Sequence, residues 1–384
     1  MNFEFKTAGR IIFGAGVIQQ VGQGVKHVGR RALVVTGSNP ARAEKLLANL
    51  TANGVAATTF SVTGEPEIST VENGVAFAKA EDCGFVISLG GGSVIDAGKA
   101  IAAMMTNEGS LLDYLEIIGH GKPLGHAPAP FFAIPTTAGT GSEVTRNAVL
   151  ASPEHKVKVS LRSPQMLPAA AVIDPELTYD LPPGLTASTG LDALTQLIEP
   201  YVCLRANPMT DNFCLEGIQR AARSLREAVF NGQNKAARED MAVASLFGGL
   251  ALANAGLGAV HGFAGPIGGM FPAPHGAVCA ALLPHVMAAN LRALRERDPQ
   301  SFALKRYYRV ATLLTGNPNA TADAGVEWVQ KLVAELPVQK LGAYGIREEH
   351  VTDIVTKAAN ASSMKANPIV LTPEELAGTL RLAL

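Results

Sequence analysis

Charged side chains are scarce in this chain. Asp, Glu, Lys and Arg make up 17% of the 384 residues and hydrophobic residues 47%, which excludes a chain too polar to offset its conformational entropy by burial. Neither sign is in excess: 32 Lys and Arg face 33 Asp and Glu. Without a basic surplus, neither a nucleic-acid backbone nor an anionic membrane is an expected partner. Cysteine is also rare. Cys83, Cys203, Cys214 and Cys279 show no CxxC spacing and no disulfide-scaffold density, so a reducing, cytoplasmic setting is expected. The first ten residues lack the apolar run and small-residue cleavage site of an export signal, and none is expected. Between Asp240 and Arg292 no charged residue occurs at all. The stretch could accommodate two membrane spans, but Asn254, His261, His275, His285 and the glycines and prolines from Gly262 to Gly269 interrupt it. Buried core helices are the reading it supports.

What is present points to two domains, since 384 residues exceed one usual core. Ala32–Thr36 (ALVVT), Phe85–Leu89 (FVISL) and Phe131–Pro135 (FFAIP) are short apolar runs ending in turn residues, as buried parallel strands do. Ala-rich helical patterns at 41–53 and 94–105 lie between them. Strand, turn and helix in succession predict a doubly wound α/β sheet, with ligands beyond the carboxyl ends of its strands. The β-type runs stop after Asp174-Pro175, and Leu181-Pro182-Pro183-Gly184 breaks the pattern. This predicts an α/β dinucleotide-binding domain over residues 1–183 and an all-helical domain over 184–384, broken at Asn207-Pro208, Pro266, Pro272, Pro274 and Asn317-Pro318.

Three groups of residues carry chemistry. Gly90-Gly91-Gly92-Ser93 begins the segment GGGSVIDAGK at a strand-to-helix junction, where backbone N–H groups can hold a phosphate. A tight turn capped by Ser93 would use the same residues. PTTAGTGSEVT, 135–145, follows the third strand with hydroxyls able to bond ribose, phosphate or carboxamide. In the helical half, Asp192 and Gln196 share a helix face at i and i+4, and His261 and His275 lie in the uncharged stretch. Together these side chains form an O2N2 donor set suited to Zn2+ or Fe2+, although each histidine alone could be a satisfied core residue.

In order along the chain, GGGSVIDAGK, PTTAGTGSEVT, the Asp192 helix and HGFAGPIGGMFPAPHGAVCAALLPH (261–285) resemble the iron-containing, or group III, alcohol dehydrogenases. The resemblance implies the dehydroquinate-synthase-like fold of that family, with NAD(P), a divalent metal and a small alcohol or aldehyde held in a cleft between two domains. It further implies a homo-oligomer, expected as a homodimer. Carried over by position, Gly90, Gly91, Gly92, Ser93 and Asp96 fall in the pyrophosphate segment, and Thr136, Thr137 and Thr140 are further cofactor contacts. Asn147 and Lys158 match positions lining the nicotinamide and ribose. Asp192, Gln196, His261 and His275 fall on the four metal positions, with Asp192, His261 and His275 as the catalytic set. This chain departs from the family pattern in three places. Gln196 stands where the family usually has His, and Gly265 where many members place a candidate proton-relay His. Gly37 stands where NAD-preferring members often have Asp, which makes NADP admissible. The competing expectations are a metal-independent maleylacetate-reductase-like enzyme, a dehydroquinate-synthase-like lyase, and a nucleotide-binding protein without catalysis.

Overall fold

The computed structural model describes residues 2–384. Among these residues eight strands form: β1 (Ile11–Phe13), β2 (Arg31–Thr36), β3 (Ala56–Ser61), β4 (Phe85–Gly90), β5 (Phe131–Pro135), β6 (Asn147–Ser152), β7 (Val157–Arg162) and β8 (Ala170–Ile173). Six of them make one sheet in the order β1-β8-β5-β4-β2-β3, with every pairing parallel. β6 and β7 form a separate antiparallel hairpin.

Side-chain alternation sorts the sheet residues onto two faces. Leu33 and Val35 of β2 and Val86 of β4 pack with α3 (Ile68–Ala80) and α4 (Gly92–Thr106). Ala32 and Val34, with Phe85 and Ile87, pack instead on α1 (Val21–Val25) and α2 (Glu44–Ala52). The result is a three-layer sandwich of buried parallel strands between helices. The order along the sheet reverses between β2 and β4, so the loops after these strands open side by side at a switch point. Gly37 follows β2, Gly91 follows β4 and Thr136 follows the adjacent β5.

Among the described residues the second unit contains nine α-helices: α5 (Pro183–Val202), α6 (Pro208–Phe230), α7 (Lys235–Asn254), α8 (Ala259–Met270), α9 (His275–Arg297), α10 (Phe302–Thr315), α11 (Ala322–Glu335), α12 (Val351–Asn360) and α13 (Pro373–Ala383). Their apolar faces share one core that includes Leu191, Leu194, Phe263, Val278 and Leu282. The uncharged stretch becomes the end of α7, α8 and most of α9. α9 is long and apolar enough to cross a membrane, yet 83% of its apolar window is buried inside the protein.

The boundary between the units differs from the expected one. The sheet unit ends at Thr178, and Ala138–Thr140 together with residues 2–5 belong to the helical unit. The chain leaves the sheet where the Asp174 carboxylate accepts the backbone N–H groups of Gly16, Ile18 and Glu176. The Pro182-Pro183 pair lies just past this point and starts α5, with Pro183 at its first position, where a missing N–H costs nothing. Asn207-Pro208 likewise opens α6 with a capping box, and Pro266 lies inside α8.

Candidate metal centre and cofactor loops

The helical unit brings four donor side chains to one point. Asp192 sits in the third turn of α5, His261 in the first turn of α8, and His275 and Cys279 one turn apart at the start of α9. One ligand atom from each of these four lies within 4.8 Å of the others. His261 Nε2 is 3.4 Å and His275 Nε2 3.6 Å from Asp192 Oδ1, and Cys279 Sγ is 3.9 Å and 3.7 Å from the same two nitrogens. The backbone enforces this approach. At Gly276 an added Cβ would come within 2.4 Å of the Ser188 carbonyl, so only glycine lets the start of α9 reach α5.

Asp192 is 1% exposed, and its Oδ1 has no hydrogen-bond partner. A buried carboxylate oxygen left in this state is costly unless a cation meets it. Burial alone would raise the Asp192 pKa, but His275 and His261 hold it below the usual carboxylate value. Burial opposes charging of His261, yet Cys279, Asp192 and Glu199 outweigh it and hold that pKa well above normal. The surroundings therefore favour positive charge. An orphaned acceptor facing two imidazole nitrogens fits a divalent ion.

Sequence reasoning missed Glu199. Its Oε2 lies 2.6 Å from His261 Nδ1 and its Oε1 accepts the Val260 N–H at 2.7 Å. A carboxylate accepts only, so His261 Nδ1 carries the proton and Nε2 is turned toward Asp192. Glu199 is two helical turns beyond Asp192 on α5, a spacing that could have flagged it. Cys279 was likewise missed, although it shares a helix face with His275. Gln196 is buried one turn after Asp192 with Oε1 unpartnered. That oxygen lies against α7, 3.5 Å from where a Cβ on Gly248 would stand. At Gly265 an added Cβ would meet nothing within 4 Å.

In the sheet unit, α4 starts at Gly92 with Gly91 as its N-cap and no side chain capping it. Ser93 is inside the first turn, so the loop is not a Ser-capped turn and its leading N–H groups point to the helix end. A Cβ at Gly91 would touch Thr137 at 3.4 Å, whereas one at Gly90 would strike Val94 at 2.6 Å. Thr136 N–H donates to the Gly90 carbonyl at 3.0 Å, joining the two loops. A Cβ at Gly37 would have only Val94 nearby, at 3.9 Å.

Asp96 faces inward from α4. Its Oδ2 accepts the Val149 N–H at 3.1 Å and its Oδ1 is 3.8 Å from Lys99 Nζ; burial pushes its pKa to about 6 against the pull of Lys99. Lys99, also unforeseen, donates to the carbonyls of Ser142, Thr145 and Asn147 at 2.8, 3.2 and 2.7 Å and to Thr145 Oγ1 at 3.0 Å. It closes the hydroxyl-rich loop from behind. Asn147 thus meets Lys99 through its carbonyl. Lys158 pairs with Glu65 at 3.1 Å. In the hairpin register Asn147 opposes Arg162 and Lys158 opposes Ala151, four positions apart, or about 13 Å along the strand.

Comparison with known proteins agrees with this layout. Residues 8–175 match the family described as iron-containing alcohol dehydrogenase, and residues 186–384 match its C-terminal part. The 1,3-propanediol dehydrogenase of Klebsiella pneumoniae is 36% identical over 397 aligned positions, covering 99% of this chain and 98% of that protein. The NAD-dependent methanol dehydrogenase of Bacillus methanolicus is 33% identical, with 97% of each chain covered. The crystal structure of a 1,3-propanediol oxidoreductase superposes over 100% of both chains with a TM-score of 0.91 at 34% identity. Both halves and the whole fold being matched, the chain belongs to the iron-containing alcohol dehydrogenase family and is an oxidoreductase acting on alcohols.

Proposed function

We propose that the enzyme interconverts a small alcohol and its aldehyde or ketone by hydride transfer with NAD or NADP. Asp192, His261 and His275 hold a divalent ion, Fe2+ or Zn2+, and Gln196 stands beside them as a weak oxygen donor. The observation that carries this reading is the buried, unpartnered Asp192 Oδ1 at 3.4 and 3.6 Å from two imidazole nitrogens. When bound, the ion would supply Lewis acidity toward an alcohol oxygen, and the nicotinamide would supply the hydride chemistry.

The chain's own residues do the positioning. Glu199 fixes the tautomer and direction of His261. Gly91, Gly92 and Ser93 present the start of α4 to the cofactor pyrophosphate, and Thr136, Thr137 and Thr140 offer hydroxyls to the rest of the nucleotide. Asp96 and Lys99 act behind these loops, holding the chain from Ser142 to Val149 in place. A relative named for NAD dependence supports NAD, while the uncharged Gly37 leaves room for a 2′-phosphate. A cytoplasmic homodimer is the setting this reading expects, in keeping with four cysteines that form no disulfide among the described residues.

Metal analysis of protein purified without chelator, combined with His275→Ala, tests the reading. The variant is expected to lose both metal and turnover while binding NAD(P)H unchanged, since Gly90 to Ser93, Thr136 and Thr137 belong to the other unit. A protein that is metal-free as isolated, fully active in chelator and indifferent to His275→Ala would overturn it and assign the chain to the metal-independent reductase branch.

A further inference from the structure

We infer that Cys279 is itself a metal ligand, bound as a thiolate, and that it supplies the strong fourth donor which Gln196 does not. The inference rests on the metal site proposed above at Asp192, His261 and His275. For Zn2+ with N and O ligands at about 2.0–2.2 Å and S at about 2.3 Å, tetrahedral geometry sets N and O atoms about 3.4 Å apart and S and N about 3.6 Å apart. The observed separations are 3.4 and 3.6 Å from Asp192 Oδ1 to the two nitrogens, and 3.7 and 3.9 Å from Cys279 Sγ to the same nitrogens. These four separations are close to those of a tetrahedral site, and all four donor atoms lie within 4.8 Å of one another.

The placement follows from the helix. His275 and Cys279 are at i and i+4 in the first turns of α9, so one helix face presents both an imidazole and a sulfur. Cys83, Cys203 and Cys214 are buried as well, but among the described residues only Cys279 joins a group of convergent donors. Gln196 Oε1 lies instead against Gly248 of α7. The thiol gives up its proton to solvent as the ion binds. A donor set of one carboxylate, two imidazoles and one thiolate is softer than one completed by a third imidazole or an amide, and it favours Zn2+ over Fe2+.

The test is X-ray absorption on the full-length protein loaded with Zn2+, together with the ultraviolet spectrum of the Co2+-loaded protein. The wild type is expected to show one sulfur neighbour at about 2.3 Å and a thiolate-to-cobalt charge-transfer band. Both should vanish in Cys279→Ser and persist in Cys203→Ser. Zn2+ affinity of Cys279→Ser should fall by more than about tenfold, the lower limit for losing even an outer-shell partner. Because the wild-type spectra alone reveal the sulfur, a variant that fails to fold does not decide the matter. Metal bound with nitrogen and oxygen neighbours only would overturn this inference while leaving the Asp192, His261 and His275 site standing. A wild-type protein that takes up no metal would overturn both.

Discussion

Each unit buries an acidic side chain that the sequence alone does not neutralise, and the two handle it differently. In the sheet unit Asp96 has a cation built into the chain. Lys99 is 1% exposed, 3.8 Å from the Asp96 carboxylate, and its ammonium is surrounded by three carbonyls and a hydroxyl. In the helical unit Asp192 is buried more deeply and meets two imidazoles and a thiol; its Oδ1, like Asp96 Oδ1, makes no hydrogen bond, but no lysine stands beside it. A lysine in such a place makes a permanent fastening. Imidazoles and a thiol around a carboxylate can give up their protons as an ion binds; the ion then brings the positive charge and can also work on a substrate.

The contrast is broken most directly by Lys99→Met, which gives the sheet unit the same deficit. Two buried acids, Asp96 and Glu143, lose their cation and three carbonyls lose a donor. The expected destabilisation is roughly 3 to 5 kcal/mol, read by denaturant unfolding, with weaker NAD(P)H binding as the 142–147 segment loosens. Unchanged stability and cofactor affinity would show that Lys99 fastens nothing.

The stability of the sheet unit also varies with pH. Burial raises the Glu143 pKa from 4.5 to about 7, so the folded state binds that proton more tightly than the unfolded chain. Its contribution to stability is complete below pH 4.5 and is lost as pH rises through 7. Lys99, lowered to about 8 by burial, changes stability only above that window. Glu143→Gln should therefore flatten the stability curve between pH 4.5 and 7 by roughly 3 kcal/mol; a parallel curve for wild type and variant would refute the assignment.

The smallest expected effect is on cofactor choice. Gly37→Asp adds a carboxylate in open space next to Val94 of the α4 first turn. It should disfavour NADP relative to NAD by roughly 1 to 3 kcal/mol, measured as the ratio of kcat/KM for the two cofactors. Equal loss for both would mean that position 37 does not meet the ribose.

The parts of the fold and site that were legible in the sequence are those written in local patterns. β2, β4 and β5 are continuous apolar runs because the sheet buries them on both faces. β3 (AATTFS) was missed because it is a half-exposed edge strand whose polar residues hide the pattern. Asp192, His261 and His275 stood out as polar residues among apolar helices. Glu199 and Lys99 did not, because their partners lie 62 and 43 to 48 residues away and the contacts exist only once the chain has folded. The Pro182-Pro183 pair marks the end of the β-type pattern in the sequence, while its role in opening α5 is visible only in the structure.

The double use of Glu199 has a dynamic consequence. One carboxylate holds both the His261 ring and the Val260 amide, so the first turn of α8 cannot fray without releasing the histidine. The opening of that turn and the loss of a donor become one event, and the hydrogen-exchange rate of the Val260 amide is a clock for how often the site comes apart.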